Sequence, residues 1–278
     1  MKRTIAATLL IITAFAAARA QDASRDATFN ATMHDRSSAL RTTRAKSSAA
    51  GERQKGGAQG DAVDQLIERN ELAEGGAAKL GIRSRIMRGR VEISTSVLPG
   101  TYEYYEKRPD KKLEVVNAPS GQFIHAADGA RHWVKSPWNL SVTMPASETD
   151  SGDAGASDAR PARWKRYFTS ASIRGRAFVD GREMVVLAAT LKLKGRPVIM
   201  YFDAETWLLR KQEFPARKTE DENPVRAVYV DSYALVDGVK IPSLYREVYE
   251  QFTLTFRIYE VKHNVPIDDA LFRDPNGK

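Results

Sequence analysis

From Ile82 onward apolar and polar residues alternate with a period of two, and tight-turn signals interrupt the alternation at short intervals; this pattern constrains the fold more than any other feature. Strands are expected over Arg85 to Thr95, Thr101 to Lys107, Lys112 to Asn117, Gln122 to Ala127 and His132 to Lys135. The breaks between them are Pro99-Gly100, Pro109-Asp110, Pro119-Ser-Gly121 and Asp128-Gly129. A parallel crossover needs about a dozen residues or more, so strands joined this tightly form antiparallel meanders.

The alternation stops over Pro137 to Pro161, where Ser147-Glu-Thr-Asp-Ser-Gly-Asp-Ala-Gly-Ala-Ser-Asp has the composition of a long mobile loop. A short helix is expected near Ala162 to Thr169. Strands then resume at Ser172 to Val179, Arg182 to Leu193, Pro197 to Phe202, Leu208 to Phe214, Val225 to Leu235, Val239 to Glu247 and Phe252 to Val261. The turns here are Asp180-Gly181, Lys194-Gly195, Asp203-Ala-Glu and Asp237-Gly238. About a dozen strands and one or two helices predict a mainly β, α+β domain over residues 61 to 278.

Ahead of this domain, Val63, Leu66, Ile67 and Leu72 fall on helical spacing, with Asp61 as the expected N-cap and Gly75-Gly76 as the stop. Residues 21 to 60 are rich in Ser, Ala, Gly, Thr and Arg and nearly devoid of large apolar side chains. Such a segment is expected to be a disordered leader. Residues 1 to 20 read as a secretory signal: Lys2 and Arg3, an apolar stretch from Ile5 to Ala18, and Ala18-Arg19-Ala20 as the cleavage site. Cleavage after Ala20 exposes Gln21, not a cysteine that could be lipidated.

Several chemistries are disfavoured. There is no cysteine, which rules out thiol nucleophiles, disulfides and thiolate metal sites. Loss of Lys2, Arg3 and Arg19 with the signal takes the net charge from +8 to +5. The remaining charge is mixed in sign and lacks a basic aromatic motif, so nucleic acid is not an expected partner. No glycine-rich phosphate loop follows a strand, and no nucleophile elbow or H-E-x-x-H motif is present, which disfavours nucleotide binding and hydrolysis. His125 and His132 could pair on neighbouring strands, but no third ligand stands at suitable spacing, so neither metal nor cofactor is expected. Asp203 and Glu205 read as turn residues rather than as paired acid and base.

Certain signals occur in a recognisable order: Gly100 to Tyr105 into Lys107-Arg108-Pro109, Asp128-Gly129-Ala-Arg-His-Trp133, and Tyr201-Phe202-Asp203 with Thr206. They continue with Asp231-Ser-Tyr233-Ala-Leu-Val236-Asp237-Gly238-Val239-Lys-Ile241-Pro242, then Asn264-Val-Pro266 leading to Phe272 and Pro275. With the leading helix, this order resembles the LolA-like lipoprotein-carrier family over most of residues 61 to 278. The resemblance implies an unclosed antiparallel half-barrel whose concave apolar face is covered by helices. It further implies a non-catalytic periplasmic carrier or chaperone that binds acyl chains of lipoproteins or lipids and moves them toward the outer membrane. The implied partners are an inner-membrane release complex and an outer-membrane acceptor, with only transient membrane contact. An envelope sensor or protein-interaction module built on the same half-barrel is the alternative.

By the same resemblance, Arg108 matches an arginine that hydrogen-bonds the covering helices and holds the cavity shut. Tyr104, Leu113, Val115, Phe123, Trp133, Leu254, Phe256 and Ile258 are the cavity candidates. Alternation places Leu113 with Val115, and Leu254 with Phe256 and Ile258, on shared sheet faces, and a filled core would satisfy the same pattern. Trp133 reads equally as a core aromatic. Two features depart from the family: Trp207 stands on a turn where relatives often have glycine, and the Ser/Asp/Gly stretch after Trp133 occupies the place of covering helices.

Overall fold

The computed structural model describes residues 49–129, 131–137, 139–145, 163–192, 195–215 and 225–274. The signal segment, the leader up to residue 48 and most of the expected mobile loop lie outside them. The described strands are β1 (Ser84–Ile93), β2 (Gly100–Lys107), β3 (Lys111–Ala118), β4 (Gly121–Asp128), β5 (Arg131–Ser136), β6 (Asn139–Pro145) and β7 (Phe168–Val179). They continue with β8 (Arg182–Leu191), β9 (Pro197–Asp203), β10 (Leu209–Glu213), β11 (Ala227–Val236), β12 (Val239–Val248) and β13 (Thr253–His263).

All belong to one sheet in the order β6-β5-β4-β3-β2-β1-β13-β12-β11-β10-β9-β8-β7, and every pairing is antiparallel. Two meanders thus meet along a single seam between β1 and β13. The edge strands β6 and β7 do not pair with each other, so the sheet is an unclosed half-barrel. The hairpins follow their turn chemistry: Asp180-Gly181 and Asp237-Gly238 both have positive φ at both central residues, as a type I′ turn requires.

Two expectations need correction. Strand β6 occupies the beginning of the stretch expected to be loop; Leu140, Val142 and Met144 alternate with polar residues there, and the edge position tolerates the flanking prolines. The helix α1 runs from Ala49 to Ala73, so Asp61 lies inside it rather than capping it, and residues 49–60 are helical. Alanine, glutamine and charged helix formers over this stretch outweigh Gly56, Gly57 and Gly60.

One stripe of α1, formed by Val63, Leu66 and Ile67, is buried in the inner core of the sheet. Burying such a side chain contributes about 1.5–3 kcal/mol. The helix lies against β7 and against a 3-10 turn at Arg163–Arg166, where the Trp164 amide donates to Asp64 Oδ1 at 2.8 Å. Its C-terminal end rests on the β11–β12 hairpin, with the Lys240 amide donating to the Glu74 carbonyl at 2.9 Å. Gly75 has φ 129, and a Cβ there would lie 2.6 Å from the Gly238 carbonyl oxygen. A single turn, α2 (Ala77–Leu80), then leads into β1.

Candidate functional site

The two faces of the sheet are built differently. On the outer face Ile86, Tyr105, Leu113, Ala126 and Trp133 stand in one cross-strand row from β1 to β5. The segment after β13 crosses this row and buries it with Ile267 and Phe272. Trp133 Nε1 donates to the Phe272 carbonyl at 3.2 Å, Ser84 Oγ donates to the Val265 carbonyl, and Lys107 Nζ donates to the Ile267 carbonyl at 3.0 Å. Lys107 and Lys111 both pair with Asp269.

The cavity candidates Leu113, Val115 and Trp133 therefore belong to this sealed outer core, which corrects the sequence expectation. Their parity on β3 and β5 turns them away from the helix-covered face, and the C-terminal segment occupies the space above them. Tyr104, Phe123, Leu254, Phe256 and Ile258 all stand on the inner face, against the core that includes α1.

That inner face is strongly curved. Tyr102 on β2 and Tyr245 on β12 both pack against the Phe256 ring, although β1 and β13 run between their strands. In a flat sheet three strand spacings of about 4.8 Å would hold them roughly 14 Å apart. Phe256 fills the contact, with its ring 5.1 Å from Tyr102 edge to face and 4.6 Å from Tyr245 in a stack. Tyr249 and Phe252 stack beside them at 4.5 Å.

The same face carries two buried carboxyl groups. Glu114 is 8% exposed and Glu247 1%. Burial raises Glu114 to about 7 against the opposing pull of the Tyr102 hydroxyl and Lys112. Burial and then the charge of Glu114 raise Glu247 to about 8, while Tyr249 donates to it at 3.0 Å. Among the described residues neither carboxyl forms an ion pair. Gln212, in the cross-strand row that runs through Val228 to Glu247, is 2% exposed, and among the described residues its Oε1 has no hydrogen-bond partner.

His125 stands opposite Glu114 across β3 and β4, and its ring centroid is 6.2 Å from that of His132. Burial, then His132 and Lys112, lowers His125 to about 4, so it is a neutral imidazole at neutral pH. Among the described residues no cluster of three or more metal-ligating side chains forms.

Arg108 reaches from the β2–β3 turn to the end of α2, donating from Nη2 to the Lys79 carbonyl at 3.2 Å and from Nη1 to the Leu80 carbonyl at 3.4 Å. These are carbonyls a helix end leaves without intrahelical partners. Trp207 forms a second tie between sheet and helix. Its φ of 60 explains why glycine suits this turn, since an L side chain there costs roughly 1–2 kcal/mol. Against that cost, Arg69 of α1 lies 4.4 Å over the indole and Asn70 Nδ2 donates to the Trp207 carbonyl at 2.9 Å. Asp203 organises the same turn by accepting from the Glu205 and Thr206 amides. Burial works against its charge, yet Thr206, Glu205 and Arg182 together hold it below the usual carboxylate range.

The residues sequence reasoning missed are Glu114, Glu247, Gln212 and Tyr245. A usable signal was parity: Glu114 shares its strand face with Val116 and Glu247 with Tyr245, so an inward-facing apolar partner places each acid inside.

No protein-family model and no curated protein matches the sequence. Solved structures share its fold. A DUF1329 family protein from Desulfovibrio piger superposes with a TM-score of 0.52 at 14% identity, covering 77% of this chain and 97% of that one. A protein from Vibrio parahaemolyticus described as an outer membrane lipoprotein-sorting protein domain gives 0.52 at 11%, covering 75% and 95%. A LolA superfamily protein from Nitrosomonas europaea gives 0.50 at 12%, covering 76% and 96%. The half-barrel is thus the LolA-like fold.

Proposed function

We propose that the protein is a non-catalytic carrier of the cell envelope that shelters acyl chains of a lipid or lipoprotein on its inner face and moves them across the periplasm toward the outer membrane. The observation that carries this reading is an open, curved sheet whose inner face gathers Phe123, Leu254, Phe256 and Ile258 into one apolar core with α1 instead of closing into a barrel. Each acyl CH₂ taken from water onto such a face contributes about 0.8 kcal/mol. Exchange of the roof for cargo is feasible because α1 buries only a narrow stripe. The fold shared with the Vibrio lipoprotein-sorting domain and the LolA superfamily protein supports the reading by analogy.

Arg108 acts in this scheme as the latch. Its two hydrogen bonds hold α2, and with it the exit of α1, against the β2–β3 turn. Cargo that lifts the helices breaks these bonds, and R108L removes them in advance.

Native mass spectrometry of the mature protein from an envelope extract, beside R108L, tests the proposal. Bound lipid or lipoprotein in either sample, retained more strongly by the variant, is the expected result. Empty protein in both, with no acyl-chain affinity in solution, overturns it.

A further inference from the structure

The two ends of the half-barrel differ in turn chemistry. At the end where Arg108 stands, the hairpins β2–β3, β4–β5, β7–β8, β9–β10 and β11–β12 each carry an aspartate: Asp110, Asp128, Asp180, Asp203 and Asp237. At the opposite end, the β1–β2 turn over residues 94–99 and the β3–β4 turn at Pro119-Ser120 form a corner with no acid in it. Its apolar residues face outward. Val97 is 98% exposed and Leu98 61%, with Pro99 and, on the adjoining turn, Pro119 also exposed.

A lone exposed apolar side chain is ordinary, but this loop is built to present two. Its hydroxyls serve backbone groups: Ser96 Oγ donates to the Leu98 carbonyl at 3.1 Å and accepts from the Leu98 amide at 3.3 Å, while Ser94 Oγ accepts from the Thr253 amide at 2.9 Å. The Ser94 and Ser96 amides donate to the Thr253 and Ile93 carbonyls. Backbone groups that already have partners cost little to move into a poorly hydrated layer. Ile93 anchors the loop: it pairs with Leu254 and packs on the inner core, so the tip stands at the end of the face proposed for acyl chains.

Charge at the base of the loop selects the occupant. Arg90, on the rung next to the turn, stands directly opposite Arg257 across the seam. Like charges so placed repel. Glu92 pairs with Arg257 at 3.3 Å, and Arg90 forms no ion pair among the described residues. An apolar tip beside an unpaired arginine matches the surface of an anionic bilayer, which offers a hydrocarbon boundary to Val97 and Leu98 and phosphates to the arginine.

We infer that the β1–β2 loop docks the protein on anionic phospholipid bilayers, with Val97 and Leu98 entering the interface and Arg90 meeting head-group phosphates. Docking in this way sets the end of the inner face at the membrane for transfer of cargo. The inference deepens the carrier reading and rests on it for its purpose, but vesicle binding needs no cargo, so the two can fail separately.

Co-sedimentation of the mature chain, V97S/L98S and R90Q with phosphatidylglycerol–phosphatidylcholine vesicles, and with phosphatidylcholine vesicles, tests it. The wild type is expected to prefer the anionic vesicles, and V97S/L98S to lower that affinity about tenfold or more. R90Q is expected to lower it about fivefold at low salt and to match the wild type at high salt. On anionic vesicles the emission added by V97W is expected to shift to the blue and to be quenched by brominated lipid. All these substitutions fall on side chains at the surface, and unchanged thermal melts confirm the fold. Wild type that ignores anionic vesicles or binds both kinds equally overturns the inference. So does binding that V97S/L98S leaves unchanged, or V97W emission that does not shift. Acyl-chain binding by the same protein then decides the carrier reading by itself.

Discussion

The outer and inner faces of the sheet are finished in different ways. On the outside, Trp133, Ser84 and Lys107 each find a backbone acceptor in the C-terminal segment, and Asp269 is paired twice. On the inside, Glu114 on β3 and Glu247 on β12 are buried without an ion pair among the described residues, and Gln212 Oε1 on β10 has no hydrogen-bond partner among them. A protein interior normally satisfies its polar groups, and the outer core follows that rule where the C-terminal segment crosses it.

The largest effect comes from breaking the finished side. Phe272 is fully buried over Leu113 and Trp133, and F272A is expected to cost about 3–5 kcal/mol in urea denaturation while leaving chain binding on the opposite face unchanged.

The inner side is expected to respond to pH in the opposite sense from an ordinary carboxylate. Folded Glu247 keeps its proton up to about pH 8, beside Tyr249 and with Glu114 acting on it, whereas the unfolded chain releases it near 4.3. Between those values the folded state binds more protons, so stability is greatest at low pH, declines as pH rises, and levels off above about 8. The wild type is expected to lose roughly 2–4 kcal/mol between pH 5 and 8.5, and E247Q to remove most of that loss; denaturation curves at the two pH values check it.

Sharpening the comparison at the latch, R108L should cost about 1 kcal/mol and accelerate amide exchange at Gly81 and Ile82 more than anywhere in the outer core. The smallest effect belongs to the exposed strap. Lys107 and then Lys111 lower Asp269 to about 2, so its contribution is present above pH 4 and disappears as pH falls toward 2. Trp133 fluorescence should report tail loosening in that window, and D269N should show it already at neutral pH.

Most strands were legible in the sequence because Asp-Gly and Pro-containing turns punctuate a clean period of two. Strand β6 was hidden by the composition that follows it, and the start of α1 by its glycines. The faces were the harder part. Alternation tells that Leu113 and Glu114 point in opposite directions, but not which direction is inside, and on β3 both are. Glu114 and Glu247 went unmarked because acids are seldom buried and alternation does not say which face is inside. Trp207 was legible as an anomaly, while its partner Arg69 was not, because the contact joins a helix and a turn far apart in the chain.

The single seam between β1 and β13 also sets the order of assembly. Every other strand pairing in the sheet is a contact between neighbours in sequence, so each meander can form from local hairpins, and only the seam must close a loop spanning most of the domain. Closure of that loop is expected to limit the rate of folding. In chevron plots, substitutions along the seam, where Val91 faces Phe256, act on the folding limb, and substitutions in the outlying hairpins act on the unfolding limb.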